Sequence, residues 1–187
     1  MKKLILTALT AIIAFGAFAQ SEEDMQKWMT YATPGGMHKM LAKYNGHWTA
    51  NTKMWMDPSQ PPMESTAEVT TDMYMGDRYQ KSIYSGDMGG MPFNGESLTG
   101  YDNTRKIFTN TWIDNMGTGI MYCEGTWNDA KKCVEFKGTA TDPMAGTAAP
   151  FREVVTFTND DSYKMEMYNV VNGKEYKSME VTYTRKK

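Results

Sequence analysis

From Gly46 to the C terminus, apolar and polar residues alternate with a period of two, and this pattern confines the chain to a small set of folds. Trp48, Ala50, Thr52, Met54 and Met56 interleave with His47, Asn51 and Lys53. Ala67, Val69, Thr71, Met73 and Met75 interleave with Glu68, Thr70 and Asp72, and Met179, Val181 and Tyr183 with Glu180, Thr182 and Thr184. Successive side chains of a strand point to opposite faces, so such runs are strands with one face buried. Turn-forming residues recur about every ten positions, among them Gly76-Asp77, Asp102-Asn103, Asn128-Asp129, Asp142-Pro143 and Asn159-Asp160. Asn172-Gly173, between two alternating runs, predicts a tight hairpin. The pattern predicts about ten strands, near 47–56, 64–75, 78–85, 93–101, 106–114, 119–127, 133–141, 151–158, 162–170 and 175–184, with no long helix between them. Short links imply an antiparallel meander. An open sheet of that size would expose two edges, and closure into a barrel removes them. The expected fold is therefore mainly β, one domain with a single antiparallel meander barrel over residues 46–187.

Two short helices are expected ahead of the barrel, in a segment spanning 20–45. Ser21, with Asp24 three residues on, starts the first, and Met25, Trp28, Met29 and Ala32 form its apolar stripe. Thr33 and Pro34 open the second, where Met37, Met40, Leu41 and Tyr44 repeat the spacing. Asn45-Gly46 stops it. Both stripes are expected to dock on the barrel, at one open end.

Residues 1–19 read as a secretory signal peptide: Lys2 and Lys3, an apolar run from Leu4 to Phe18, then Ala17-Phe18-Ala19 as the cleavage pattern. The apolar run is shorter than a membrane span needs. The mature chain should be periplasmic or secreted, with no membrane insertion once the leader is gone. Lys and Arg number 20 against 22 Asp and Glu, and removal of Lys2 and Lys3 leaves 18 against 22. An acidic balance excludes a polybasic nucleic-acid binder.

The composition is poor in catalytic chemistry. His38 and His47 are the only imidazoles, and the chain has no G-x-S-x-G, H-E-x-x-H or P-loop motif. With two His and two Cys, no multi-ligand zinc site is expected, and no cofactor motif appears. The Gly86–Gly90 and Met116–Gly119 segments read as tight turns that need glycine, with an anion-binding nest as the alternative. Methionine is unusually abundant, at 18 residues. Met54-x-Met56, Met73-x-Met75 and Met165-x-Met167 each place two thioethers on one strand face. Such residues fill an adaptable apolar interior, and soft thioethers also select Cu(I).

Met91-Pro92-Phe93, Gly100-Tyr101-Asp102-Asn103 and the run Thr111 to Gly119 resemble the bacterial family catalogued as domain of unknown function 1579. Pro34-Gly35-Gly36-Met37-His38 is similar to its N-terminal helical signature. The resemblance covers about 25–185 and implies a calycin-like barrel, related in shape to lipocalins. The family carries no established activity, so it transfers no site residue. Some barrels of similar shape hold haem through a His late in the chain; here the last His is His47.

The strand pattern itself points to candidate site residues. Glu153 shares the parity of Phe151, Val155 and Phe157, which places a carboxylate on an apolar inward face. Glu124 shares parity with Ile120 and Tyr122 and is expected inside as well, with a β-bulge that turns one or both acids to solvent as the alternative. Cys123 and Cys133 flank the Asn128-Asp129 turn almost symmetrically, and a cross-strand disulfide is expected between them. A buried carboxylate must be protonated or find a partner. Glu153, with Glu124, would orient the polar head of a small amphipathic ligand whose tail meets Met54, Met73, Met165 and Met167, with Trp112 in the same lining. The leading expectation is a non-enzymatic barrel that binds a small apolar ligand. The alternatives are a solidly packed structural or interaction protein and a Met-based copper binder.

Overall fold

The computed structural model describes residues 21–171 and 173–187. The proposed leader and Asn172 of the expected last hairpin lie outside the described residues. Two helices come first, α1 (Glu22–Ala32) and α2 (Gly36–Ala42). Ten strands follow: β1 (Gly46–Met54), β2 (Met63–Tyr74), β3 (Tyr79–Met88), β4 (Met91–Asp102), β5 (Ile107–Asp114), β6 (Met121–Asn128), β7 (Cys133–Asp142), β8 (Thr147–Asn159), β9 (Ser162–Val171) and β10 (Lys174–Arg185). Each strand pairs antiparallel with its neighbour in sequence, and β1 also pairs with β10, so the meander closes into a barrel. The seam runs in register from Trp48 opposite Arg185 to Met54 opposite Met179.

The alternation sorts side chains as the sequence requires. The outer face carries ion pairs such as Lys53–Glu64, Lys81–Glu96 and Arg152–Glu175. The inner face carries the core. Gly95 and Gly138 sit where a side chain would collide: a Cβ on Gly95 would come within 2.5 Å of the Trp112 ring, and one on Gly138 within 2.7 Å of Cys123 Cβ and 2.9 Å of Phe151. Glycine at these inward positions leaves room for the neighbouring rings.

One end of the barrel is plugged. Trp48 is fully buried and donates its indole N–H to the Tyr44 carbonyl at 3.0 Å. Tyr163 stacks on Tyr183 at 4.1 Å between ring centroids, and Tyr44 lies 4.6 Å from Phe157. Leu41 and His38 of α2 are buried over this end, and the Gln80 amide donates to the Leu41 carbonyl at 2.6 Å. Arg185 locks the assembly from outside. Its guanidinium donates to the carbonyls of Asn45 (2.6 Å), Lys43 (2.8 Å) and Asp160 (2.7 Å) and lies 4.2 Å over the Trp48 ring.

The structure corrects several expectations. α1 does not dock by its stripe: Met25, Trp28 and Met29 are 47%, 58% and 52% exposed, and no α1 residue is buried. The Asn103 amide holds its C-terminal turn by donating to the carbonyls of Thr30, Tyr31 and Thr33. Thr33 closes α1 instead of opening α2, which is capped by Gly35 and the His38 ring. Cys123 and Cys133 are free and both buried. The β6–β7 register sets Cys133 opposite Asn128 and Cys123 opposite Gly138, so the two sulfurs are not cross-strand neighbours. The turn is centred on residues 129–132, later than the symmetric hairpin assumed, and this separates them.

Arg185→Ala should lower the unfolding free energy by roughly 2 kcal/mol, the scale for losing charge-assisted hydrogen bonds to backbone carbonyls. The check is the midpoint of urea unfolding at unchanged slope. A shift within error of zero would show that the latch contributes nothing to closure.

Candidate functional site

Ten strands enclose more space than the core residues fill. A cavity of about 450 Å³ runs up the barrel from Leu41 and Tyr44, above the aromatic plug, toward the opposite end, where Asp87, Met88, Phe93, Asp114 and Met116 line it. A wider hollow of about 710 Å³ along Glu124, Glu135 and Lys137 opens directly to solvent.

Cross-strand register builds the wall of the inner cavity. Met54 of β1 faces Met179 of β10, Met179 faces Met167 of β9, and Met167 faces Glu153 of β8. Glu153 in turn faces Phe136 of β7. One continuous row thus holds three thioethers, a carboxylate and a phenyl ring, all lining the cavity. Met165 and Trp112 line it too. The Trp112 indole donates to Asp114 Oδ2 at 2.6 Å, and its ring meets Tyr84 edge-on at 4.9 Å.

Glu153 dominates the chemistry of the cavity. Its carboxyl is enclosed by protein, and the surface it keeps faces the cavity lumen. Among the described residues it has no ion-pair partner. Desolvation disfavours the charged form and pushes its pKa from 4.5 up to about 7. Its charge is felt by Tyr84, Tyr183 and Cys123. The Tyr84 and Tyr183 hydroxyls share a hydrogen bond of 3.2 Å. Burial drives Tyr84 and the Cys123 thiol each up to about 12 and Tyr183 well above its ordinary value. A thiol so shifted is a poor nucleophile.

Of the residues singled out from sequence, Glu153, Met54, Met165, Met167 and Trp112 meet in this cavity. Met73 does not line it: it packs at the plugged end, in the cluster around Leu41 and Phe108 under α2. Glu124 lies outside. The Arg105 guanidinium holds it with two hydrogen bonds of 2.8 and 2.7 Å, and the Tyr122 hydroxyl donates to it at 2.7 Å. These donors hold its carboxyl below the usual range. Cys123 takes the inward position, and Glu124, one residue on, must then point out. Met56 is 82% exposed in the link after β1, and Met75 occupies a turn with φ 52°, so neither pairs with its strand neighbour inside. Met179, Tyr84 and Tyr183 complete the lining; the alternation of Met179, Val181 and Tyr183 is the signal that marks two of them.

Neither histidine lines this cavity. His38 Nδ1 accepts the Gly35 N–H at 3.0 Å, a helix-cap contact, and burial lowers its pKa. His47 is exposed and bonds Thr70 Oγ1 at 3.2 Å. Gly89 and Gly90 turn the β3–β4 hairpin with φ of 64° and 89°, the local reason for glycine there.

Residues 33–185 match the family described as "Protein of unknown function (DUF1579)". The chain belongs to that family. No curated protein matches it. Among solved structures, the crystal structure of Rv2717c from M. tuberculosis is similar, with a TM-score of 0.61 and 12% identity over 83% of this chain and 100% of that one. At that identity the likeness shows a shared fold. For this DUF1579 chain the site must therefore be read from its own residues.

The raised pKa of Glu153 has a consequence for stability. The folded chain holds a proton that the unfolded chain releases between about pH 4.5 and pH 7. Stability should therefore fall as pH rises through that window, by on the order of 3 kcal/mol. Glu153→Gln should flatten the profile and be the more stable protein above pH 7. Urea midpoints measured from pH 4.5 to 8 check this; parallel profiles for the two proteins would contradict it.

Proposed function

We propose that this chain is a non-enzymatic binding protein that holds one small apolar or amphipathic molecule inside the barrel. The observation that carries the reading is the cavity of about 450 Å³, walled by Met and aromatic side chains around one unpartnered carboxyl. That volume is in the range of small-molecule sites, and an apolar wall with few polar groups is what such sites use. Thioether side chains adapt to the shape of a tail. The enclosed carboxyl supplies a single polar anchor, and among the described residues around it none forms a nucleophile–base pair. The leader of Lys2, Lys3 and the apolar run to Ala19 supports export to the periplasm or exterior; an exported chain would have an intact mass that begins at Gln20.

One observation favours a second reading. The row Met54–Met179–Met167 places three thioethers on adjacent strands, a donor set suited to Cu(I). Reductive titration with Cu(I) against a chelating indicator separates the two readings.

The primary test is titration with N-phenyl-1-naphthylamine, an uncharged fluorescent probe. One saturable site with blue-shifted emission is expected. Met165→Trp, which fills the cavity, should weaken binding at least tenfold while the far-ultraviolet spectrum stays unchanged. Absence of binding to the wild-type protein would instead support a barrel that serves as a packed interaction module.

A further inference from the structure

The charge of the cavity wall specifies the class of ligand, an inference that rests on the binding reading above. Three ionisable acids line the cavity: Glu153 in mid-wall, and Asp87 and Asp114 at the end away from α2. Among the described residues that line it there is no Lys, Arg or His. The two outer carboxylates have neutral partners. Asp87 accepts the Gly90 N–H at 2.7 Å, and Asp114 accepts the Trp112 indole and the N–H groups of Met116 and Gly117. Glu153 has none among the described residues, and its carboxyl is enclosed and turned into the lumen.

We propose that the barrel selects cationic amphiphiles, an ammonium head on an apolar chain, and rejects fatty acids and other anionic lipids. An anionic head entering this space would meet three carboxylates and no compensating cation, and beside Glu153 it would have to share a proton as two adjacent acids do. An ammonium head offsets the desolvation of Glu153 and supplies the donors that carboxyl lacks. Aromatic faces add to the preference. Tyr84 and Trp112 stand edge-to-face at 4.9 Å in the wall, and Tyr84 is close enough to Glu153 to feel its charge, so a cation there has ring faces within reach. Acidic groups at the outer end would also draw cations inward. The cations of the molecule are placed elsewhere. Arg78, Arg105, Lys132 and Arg185 sit at the plugged end, on the turns beside α2 or at the end of β10, and Lys53, Lys81 and Arg152 pair with acids on the outer face.

The experiment displaces the naphthylamine probe with three ten-carbon ligands: decylamine, decanoate and 1-decanol. At pH 8 decylamine should bind at least tenfold more tightly than 1-decanol, and decanoate should bind most weakly. Affinity for decylamine should rise with pH from 5.5 to 8 as Glu153 ionises. Tyr84, Tyr183 and Cys123, the other groups that face it, lose protons only at far higher pH. Glu153→Gln should bring decylamine down to the affinity of 1-decanol and leave 1-decanol unchanged. If that variant fails to fold, the wild-type pH profile and the order of the three ligands still decide. Decanoate or 1-decanol equal to or tighter than decylamine at pH 8 would overturn the selectivity and leave the binding reading standing. A wild-type protein that binds neither the probe nor any of the three ligands would overturn the binding reading itself.

Discussion

Closure of β1 on β10 is the constraint from which the rest of the structure follows. A ten-strand sheet left open would present two unpaired edges. Pairing Trp48–Met54 with Met179–Arg185 removes both and fixes the circumference. Barrels of about eight strands are just narrow enough for their own side chains to fill. Ten strands are wider, so the interior must be plugged or left hollow, and this molecule does both. At one end Trp48, Tyr163, Tyr183 and Phe157 pack together beneath α2, with Arg185 tying strand, helix and turn together. Beyond that plug the wall is Met, Tyr, Phe and Trp around open space.

The hollow gives Glu153 its meaning. In a packed core an unpaired carboxyl would be a pure cost. Facing a cavity, it becomes a group with an unsatisfied demand that a ligand can meet. The same closure that leaves the space excludes bulk solvent from it, and exclusion of solvent is what raises the carboxyl's pKa to about 7. On the binding reading we propose, stability and ligand capture are therefore opposed at one residue. Such opposition is a mark of functional sites, where strain or an unpaired group is retained because activity uses it.

The strands were legible because period two persists through nearly every one of them. Glu153 was legible for the same reason: its neighbours Phe151, Val155 and Phe157 share its parity and mark that face as apolar. Glu124 was not, since its strand offers weak contrast. Ile120 and Tyr122 suggest one face, yet they are exposed at 71% and 47%, and small inward residues, Cys123 and Gly125, mark the other. The register of the β6–β7 hairpin decides the matter, and register depends on how many residues the turn takes, which Asn128-Asp129 alone does not specify. The helices show a similar division. Both carry apolar stripes, but only α2 is tethered within reach of the barrel mouth by the short link to Gly46. Which thioethers face the lumen depends on strand ends: Met56 and Met75 continue the alternation in sequence but lie beyond the last pairs of β1 and β2.

A crystal structure of the delipidated protein under xenon pressure would show whether the barrel is hollow, with an apolar, accessible interior. Xenon settles in apolar cavities without demanding hydrogen bonds. Xenon sites are expected inside the barrel between Met54, Met165, Met167 and Trp112, with the backbone unmoved. An interior filled by repacked Trp112, Met165 and Met167 side chains, with no xenon inside the barrel, would contradict that expectation.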